Sequence, residues 1–72
     1  MKKRCNAEYE IIGAIEVKQK LEVVIGYRRT KFGDQYVTWE CLEKSDYYWG
    51  HYFNEKKDAI QDFCNRVNKL AS

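Results

Sequence analysis

The chain has 72 residues, of which 44% are apolar and 33% charged, with no proline and a formal net charge of +2. This composition excludes an intrinsically disordered chain, and the length predicts one domain over residues 1–72 with a small hydrophobic core. The pI of about 8.4 lies below the value above about 9 that is typical of dedicated duplex-binding domains. The charge therefore does not favour a binder of double-stranded nucleic acid.

The N-terminal segment and the cysteines indicate the cellular compartment of the protein. Residues 1–4 are basic, but acidic residues interrupt the apolar run that a signal peptide needs. We expect residues 1–7 to form a flexible tail and no segment to cross a membrane. The three cysteines, Cys5, Cys41 and Cys64, cannot all pair within one chain. This usage is typical of free thiols in a reducing compartment and predicts a cytoplasmic protein.

Alternation of apolar and polar residues predicts four β-strands, at residues 8–17, 21–28, 35–42 and 47–53. The third strand follows a turn at residues 30–34, where Gly33 and Asp34 supply the turn chemistry. Asn54 is the predicted N-cap of a helix that begins at Glu55, because apolar residues then recur every three or four positions. The predicted order of elements is ββββα.

The fold class predicted from this order is α+β. Short connections favour a four-stranded antiparallel β-meander with the C-terminal α-helix packed on one face, which leaves the other face uncovered. If the turn at residues 30–34 sets the register, Ile25 lies opposite Trp39 on the helix side. The fourth strand then directs Tyr47, Trp49, His51 and Phe53 towards the helix, although a bulge at Gly50 would exchange part of that set.

The uncovered face is the predicted binding surface. It carries the five residues Arg28, Tyr36, Thr38, Tyr48 and Tyr52. Tyrosine and arginine are enriched where protein interfaces concentrate their energy, so the sequence favours a non-enzymatic module that binds a protein partner or forms a homodimer. The alternative is that these tyrosines only stabilise the sheet, since tyrosine is a favoured strand residue.

Catalytic and metal chemistry have little support in the sequence. There is no CxxC or HxxxH pair from which to build a zinc site, and no glycine-rich phosphate loop. Cys41 and Cys64 are expected in the core, and His51 is expected to be structural. Asp58 and Asp62 lie one helical turn apart and fit a solvated face better than a catalytic pair. We therefore expect no enzyme activity, no cofactor and no metal.

A second function fits the same surface. A single-stranded nucleic-acid binder would stack bases on the tyrosines and hold phosphates with Arg28, Arg29 and Lys31. Against this alternative, four glutamates at positions 8, 10, 16 and 22 line the first two strands and would repel phosphate.

Three segments carry a resemblance to known sequences: residues 36–39 (YVTW), residues 47–53 (YYWGHYF), and Lys57–Ile60 followed by Asp62 and Phe63. In these segments, which cover the C-terminal half, the chain resembles short uncharacterised proteins of phages and conjugative elements from Gram-positive gut bacteria. That resemblance implies no activity, cofactor or ligand residue. It implies an accessory role: binding host or element proteins, inhibiting a host defence system, or assisting DNA handling.

Overall fold

The computed structural model describes residues 4–72. Its elements in chain order are β1 (Cys5–Asn6), β2 (Tyr9–Lys18), β3 (Leu21–Thr30), β4 (Gly33–Leu42), β5 (Asp46–Phe53) and α1 (Lys56–Ala71). The strands form one antiparallel sheet in the order β1-β2-β3-β4-β5. The α+β class, the antiparallel meander and the C-terminal helix are confirmed.

The number of strands is corrected from four to five. β1 pairs Cys5 with Glu10 and Asn6 with Tyr9, so the predicted tail is a strand at these two residues. The turn that follows uses Ala7 and Glu8 at φ of 51° and 70°, where non-glycine residues are uncommon. A two-residue strand is too short to show alternation, and neither of the two central turn residues, Ala7 and Glu8, is glycine or asparagine. The first three residues of the predicted tail lie outside the described residues.

The β3–β4 register differs by one residue from the expected one. Thr30 pairs with Gly33, so the loop contains only Lys31 and Phe32 instead of the wider turn at residues 30–34. Ile25 therefore lies opposite Thr38, and not opposite Trp39. Because side chains alternate along a strand, this single step exchanges the two faces of β4.

Apolar side chains pack on both faces of the sheet. The helix face carries Ile25 and Tyr36, which pack with Ala59 of α1. The opposite face, here called the inner face, carries a cluster of buried side chains: Tyr9, Val24, Val37, Trp39 and Cys41. Its two valines and its cysteine are 0% exposed, and burying each valine contributes about 1.5–3 kcal/mol. The prediction of an uncovered face is wrong.

The sheet covers its inner face by curling on itself. The ring of Tyr9 on β2 meets Trp39 of β4 edge to face, with centroids 5.6 Å apart. It also lies 6.3 Å from the ring of Tyr52 on β5. Aromatic pairs in such geometries stabilise beyond the area they bury. Strands that are three places apart in the sheet are thereby brought into contact.

The helix begins one residue later than predicted, with Glu55 rather than Asn54 at the N-cap position. Ala59 is fully buried against the sheet and Phe63 packs beside it. Cys64, expected in the core, is exposed, whereas Cys41 is buried as expected. Within residues 4–72, no helix has both the length and the apolar character needed to cross a membrane.

Candidate functional site

The five predicted binding residues do not share one open face. Tyr36 and Thr38 lie on the helix face and are buried, at 8% and 0% exposure. Tyr48 pairs with Glu40 and lies on that same face, partly exposed. Arg28 and Tyr52 lie on the inner face, and Tyr52 keeps 64% of its surface exposed. The register of β4, reversed relative to the prediction, accounts for the burial of Tyr36 and Thr38.

Three of the five nevertheless come together at one end of the sheet. Arg28, Tyr36 and Tyr52 line a pocket of about 510 Å³, here called the arginine pocket. Its other lining residues are Tyr9, Gln35, Phe53 and Asn54. Arg29 and Lys31, proposed with Arg28 as phosphate ligands, do not line it. Arg29 follows Arg28 along β3 and its side chain points to the opposite face.

A second candidate site lies where β5 changes its register against β4. Thr38 pairs with His51 while Glu40 pairs with Tyr48, so two residues of β5, Trp49 and Gly50, lie opposite the single residue Trp39. The expectation of a bulge at Gly50 is consistent with this irregularity. Its effect is the expected exchange: Tyr47 packs in the inner cluster, whereas Phe53 packs on the helix face.

The irregularity displays Trp49 to solvent. Its backbone has φ of 57°, in the left-handed region, which is an outlier for a bulky side chain. Its side chain is 69% exposed, so Trp49 is not part of the packed core, although it lies on the side of the sheet that carries the helix, beside Arg66, Lys69 and Leu70. Gly50 is required beside it, because a Cβ there would lie 2.9 Å from Nε1 of Trp39. The adjacent glycine is the signal in the sequence that pointed to this position.

An arginine of the helix holds this strained backbone in place. Nη2 of Arg66 donates a short hydrogen bond to the carbonyl oxygen of Trp49. Nε of Arg66 donates to Asp62 at 3.2 Å, and Nη1 lies 3.7 Å from Glu40. Arg66 is buried at 8% exposure. The carboxylates of Asp62 and Glu40 lie close enough to compensate its charge. The helix and the bulge are thus locked to each other.

Asp62 is the centre of this polar network. Oδ2 of Asp62 accepts a hydrogen bond from the Thr38 hydroxyl at 2.5 Å and lies 3.0 Å from Nδ1 of His51. Burial pushes the pKa of Asp62 upwards, but the hydrogen bonds from Thr38 and His51 and the charge of Arg66 outweigh it, and the pKa lies below its usual range. Asp62 is therefore not on the solvated face that the sequence suggested.

This network surrounds a shallow pocket of about 250 Å³ beside the displayed indole. Its lining residues are Glu40, Trp49, His51, Arg66, Lys69 and Leu70. We call Trp49 and this lining the tryptophan site. The lining thus combines an aromatic ring, an aliphatic side chain and paired charges. Sequence reasoning missed Arg66 and Asp62, since their roles depend on the bulge.

The Asp62–His51 pair resembles part of a catalytic constellation, and among the described residues the hydroxyl that bonds to this pair is that of Thr38. Thr38, the nearest hydroxyl, donates to the same carboxylate oxygen and is fully buried. A nucleophile must be accessible and must bond to the base rather than to the group that orients it. His51 is exposed and its Nδ1 lies 3.0 Å from Oδ2 of Asp62.

A third polar cluster ties the start of the chain to the sheet. Arg4 donates to both carboxylate oxygens of Glu22, at 2.7 and 3.3 Å, and its Nε donates to the Tyr47 hydroxyl at 3.0 Å. Its Nη2 also lies 3.3 Å from Sγ of Cys41. The hydrogen bonds from Arg4 hold the pKa of the buried Glu22 below its usual range, although burial opposes this. The cluster is internal and stabilises the fold.

Metal-binding geometry is absent from the part of the chain that the structure describes, where no three or more His, Cys, Asp or Glu side chains are grouped to hold an ion. Cys5, Cys41 and Cys64 are free thiols.

Comparison with known proteins adds no assignment. No family model matches the sequence, and no curated protein or solved structure matches it either. Support for a function therefore comes from the geometry of the arginine pocket and the tryptophan site.

Proposed function

We propose that the protein is a small non-enzymatic protein-interaction module whose contact surface is centred on Trp49. The observation that carries the proposal is the combination of a left-handed backbone at Trp49, an anchoring bond from Arg66 and a side chain that is 69% exposed. A residue in this conformation costs about 1–3 kcal/mol, and such strain is retained mostly at functional positions.

The chemistry of the indole defines the kind of partner. Tryptophan is among the residues that most often dominate binding energy at protein interfaces. The rings of Trp49 and Tyr48 lie 6.3 Å apart and together offer an aromatic surface. No acceptor bonds to the Trp49 Nε1–H within residues 4–72. The fitting partner is a protein that offers an apolar pocket with a hydrogen-bond acceptor at its base.

The resemblance to proteins of phages and conjugative elements supports an accessory role, with a host or element protein as the partner. Inhibition of a host defence system is one form that such binding takes. The free thiols support a cytoplasmic setting. A homodimer is the outcome in which the partner is a second copy of the chain.

The single-stranded nucleic-acid alternative has less support. Stacking needs several exposed rings on one surface, but Tyr36 is buried, and Tyr48 and Tyr52 lie on opposite faces of β5. Arg28 and Arg29 likewise point to different faces. The protein-binding role therefore remains the better supported one.

A photo-crosslinking experiment tests the proposal. A benzoylphenylalanine is introduced in place of Trp49 in one protein and in place of Phe32 in another. Phe32 is the matched control because it is an aromatic residue with 88% exposure in the β3–β4 loop. We expect an adduct with a defined protein from position 49 only, and excess wild-type protein should suppress it while excess Trp49→Ala protein should not.

The adduct is then identified and the binding measured with purified components. Trp49→Ala should weaken affinity by about thirtyfold or more, as for a hot-spot residue, and Phe32→Ala should change it less than about twofold. Equal adducts from both positions, or equal affinities of Trp49→Ala and wild type, would contradict the proposal. If the adduct is with the chain itself, sedimentation should show a dimer that Trp49→Ala dissociates.

A further inference from the structure

The guanidinium of Arg28 is fixed in a geometry that leaves its outer end free. Its Nε donates to Oε1 of Gln35 at 2.9 Å, and its central carbon lies 4.7 Å above the ring of Tyr9. Gln35 is itself held, because the Tyr9 hydroxyl donates to the same oxygen at 3.4 Å. Stacking and one hydrogen bond thus fix the plane of the guanidinium before any ligand arrives.

The two terminal nitrogens of Arg28 have no hydrogen-bond or ion-pair partner within residues 4–72. All eleven acidic side chains of the protein lie in this range, and none is paired with Arg28. Arg28 lines the arginine pocket, and its terminal nitrogens carry two parallel N–H groups that can donate to both oxygens of a carboxylate.

The remaining lining of the arginine pocket suits a small polar group. The lining includes the amide of Asn54 and the exposed ring of Tyr52, whose hydroxyl lies beside Gly50 and the indole of Trp39. Tyr36 and Phe53 form apolar walls from the helix face. The pocket is therefore a cleft that combines the positive charge of Arg28, the side-chain amides of Gln35 and Asn54, and aromatic sides.

The charge of the pocket selects among oxyanions. Within residues 4–72, Arg28 is the only cation that lines the pocket, so a singly charged planar carboxylate matches it in both charge and shape. A phosphate dianion would leave one negative charge without a partner, and burying an unpaired charge is unfavourable. Two parallel N–H groups match the two oxygens of a carboxylate.

We infer that the arginine pocket is a carboxylate-binding site in which the fork of Arg28 binds both oxygens of the ligand, beside the side-chain amide of Asn54. The group it binds is the carboxylate of a peptide, either an acidic side chain or a C-terminus. This site is separate from the tryptophan site and does not depend on the role proposed for Trp49.

Titrations followed by ¹H–¹⁵N NMR at constant ionic strength test the site. The probes are N-acetylglutamate amide for a side-chain carboxylate, N-acetylglycine for a terminal one, neutral N-acetylglutamine amide, and inorganic phosphate. We expect saturable shifts of the Arg28 Nε–H and the Gln35 and Asn54 side-chain amides with the carboxylates, and none with the neutral amide. The tighter of the two carboxylates identifies the source.

Variants at adjacent arginines give the matched comparison. Arg28→Gln should weaken carboxylate binding at least about tenfold, and Arg28→Lys should also weaken it because an ammonium lacks the planar fork. Arg29→Gln removes the same charge from the next residue and should change binding less than about twofold. The inference is overturned if wild type shows no saturable shift, if Arg28→Gln and Arg29→Gln bind alike, or if phosphate binds more tightly than either carboxylate.

Discussion

At the scale of single residues, the hydrogen bond from Thr38 to Asp62 joins the sheet to the helix. Thr38 is fully buried, and its hydroxyl has the carboxylate of Asp62 as its acceptor. Asp62 in turn orients His51 and Arg66, and Arg66 holds the backbone of Trp49. One hydroxyl therefore supports the path from the sheet to the displayed tryptophan.

Replacing Thr38 by valine should lower the free energy of unfolding by about 1.5–3 kcal/mol at pH 7, because a buried hydrogen bond to a charged group is lost. The pKa of Asp62 is lowered in the folded protein. Its stabilising contribution is thus complete above the unfolded pKa and is lost as pH falls through the folded pKa. Urea unfolding at pH 7 and pH 3 should show the valine variant approaching wild type at pH 3.

Thr38→Ser is the control for this substitution, since it keeps the hydroxyl donor and should retain most of the pH-dependent part. An equal loss of stability by Thr38→Val at both pH values would show that packing, and not the bond to Asp62, is what the threonine contributes.

At the scale of elements, the sequence predicted the elements that local patterns define. It did not predict features that depend on contacts between residues far apart in the sequence. β2, β3, β4, β5 and α1 follow from alternation or helical periodicity, which are local. The inner face could not be predicted, because its burial depends on Tyr9 reaching Trp39 and Tyr52 across the curled sheet. The exchange of faces in β4 came from a loop three residues shorter than the expected turn, with Thr30 bonded to Gly33 and Phe32.

The same contrast applies to the candidate sites. Arg28, Tyr36 and Tyr52 were selected for their residue types, and the structure brings them to one pocket, although Tyr36 is a wall rather than an exposed ring. The display of Trp49 could not be derived, since it requires the register shift beside Gly50 and the anchoring bond from Arg66. Residue types led to the hypothesis of aromatic recognition, and only the register shows which aromatic side chains are exposed.

The stability of α1 can be raised by a substitution at its first residues. Glu55 occupies the N-cap with extended backbone angles, φ −111° and ψ 130°, but its side chain makes no capping hydrogen bond. Glu55→Ser should accept a bond from a first-turn N–H and raise stability by about 0.5–1 kcal/mol. Thermal unfolding should show a higher Tm for Glu55→Ser.

Asn68→Ser is the control, because Asn68 is an exposed position inside the helix, and it should not stabilise the protein. A gain in Tm there equal to that of Glu55→Ser would exclude capping as the cause.

At the scale of the whole molecule, Arg4 joins parts of the chain that are distant in sequence. Through its bonds to Glu22 of β3 and Tyr47 of β5 it closes the curled sheet near the chain start, and Lys44 of the β4–β5 loop lies 3.5 Å from the same glutamate. A small domain has few such long-range ties, so each accounts for a large share of its stability.

Acid should therefore remove the stabilising contribution of Glu22 as well as that of Asp62. Because the pKa of Glu22 is lowered by the bonds from Arg4, its contribution is present above the unfolded value of about 4.3 and is lost as pH falls through the folded value. Glu22→Gln should be about 2 kcal/mol less stable than wild type at pH 7, since the charged hydrogen bonds are weakened. Urea unfolding from pH 7 to pH 2 should show that difference shrinking at the acid end.

Glu43→Gln is the control, because Glu43 is exposed in the neighbouring loop, and this variant should follow the wild-type curve. If Glu22→Gln also follows the wild-type curve, the acid sensitivity arises elsewhere in the protein. In that case the charge of Arg4 does not close the sheet.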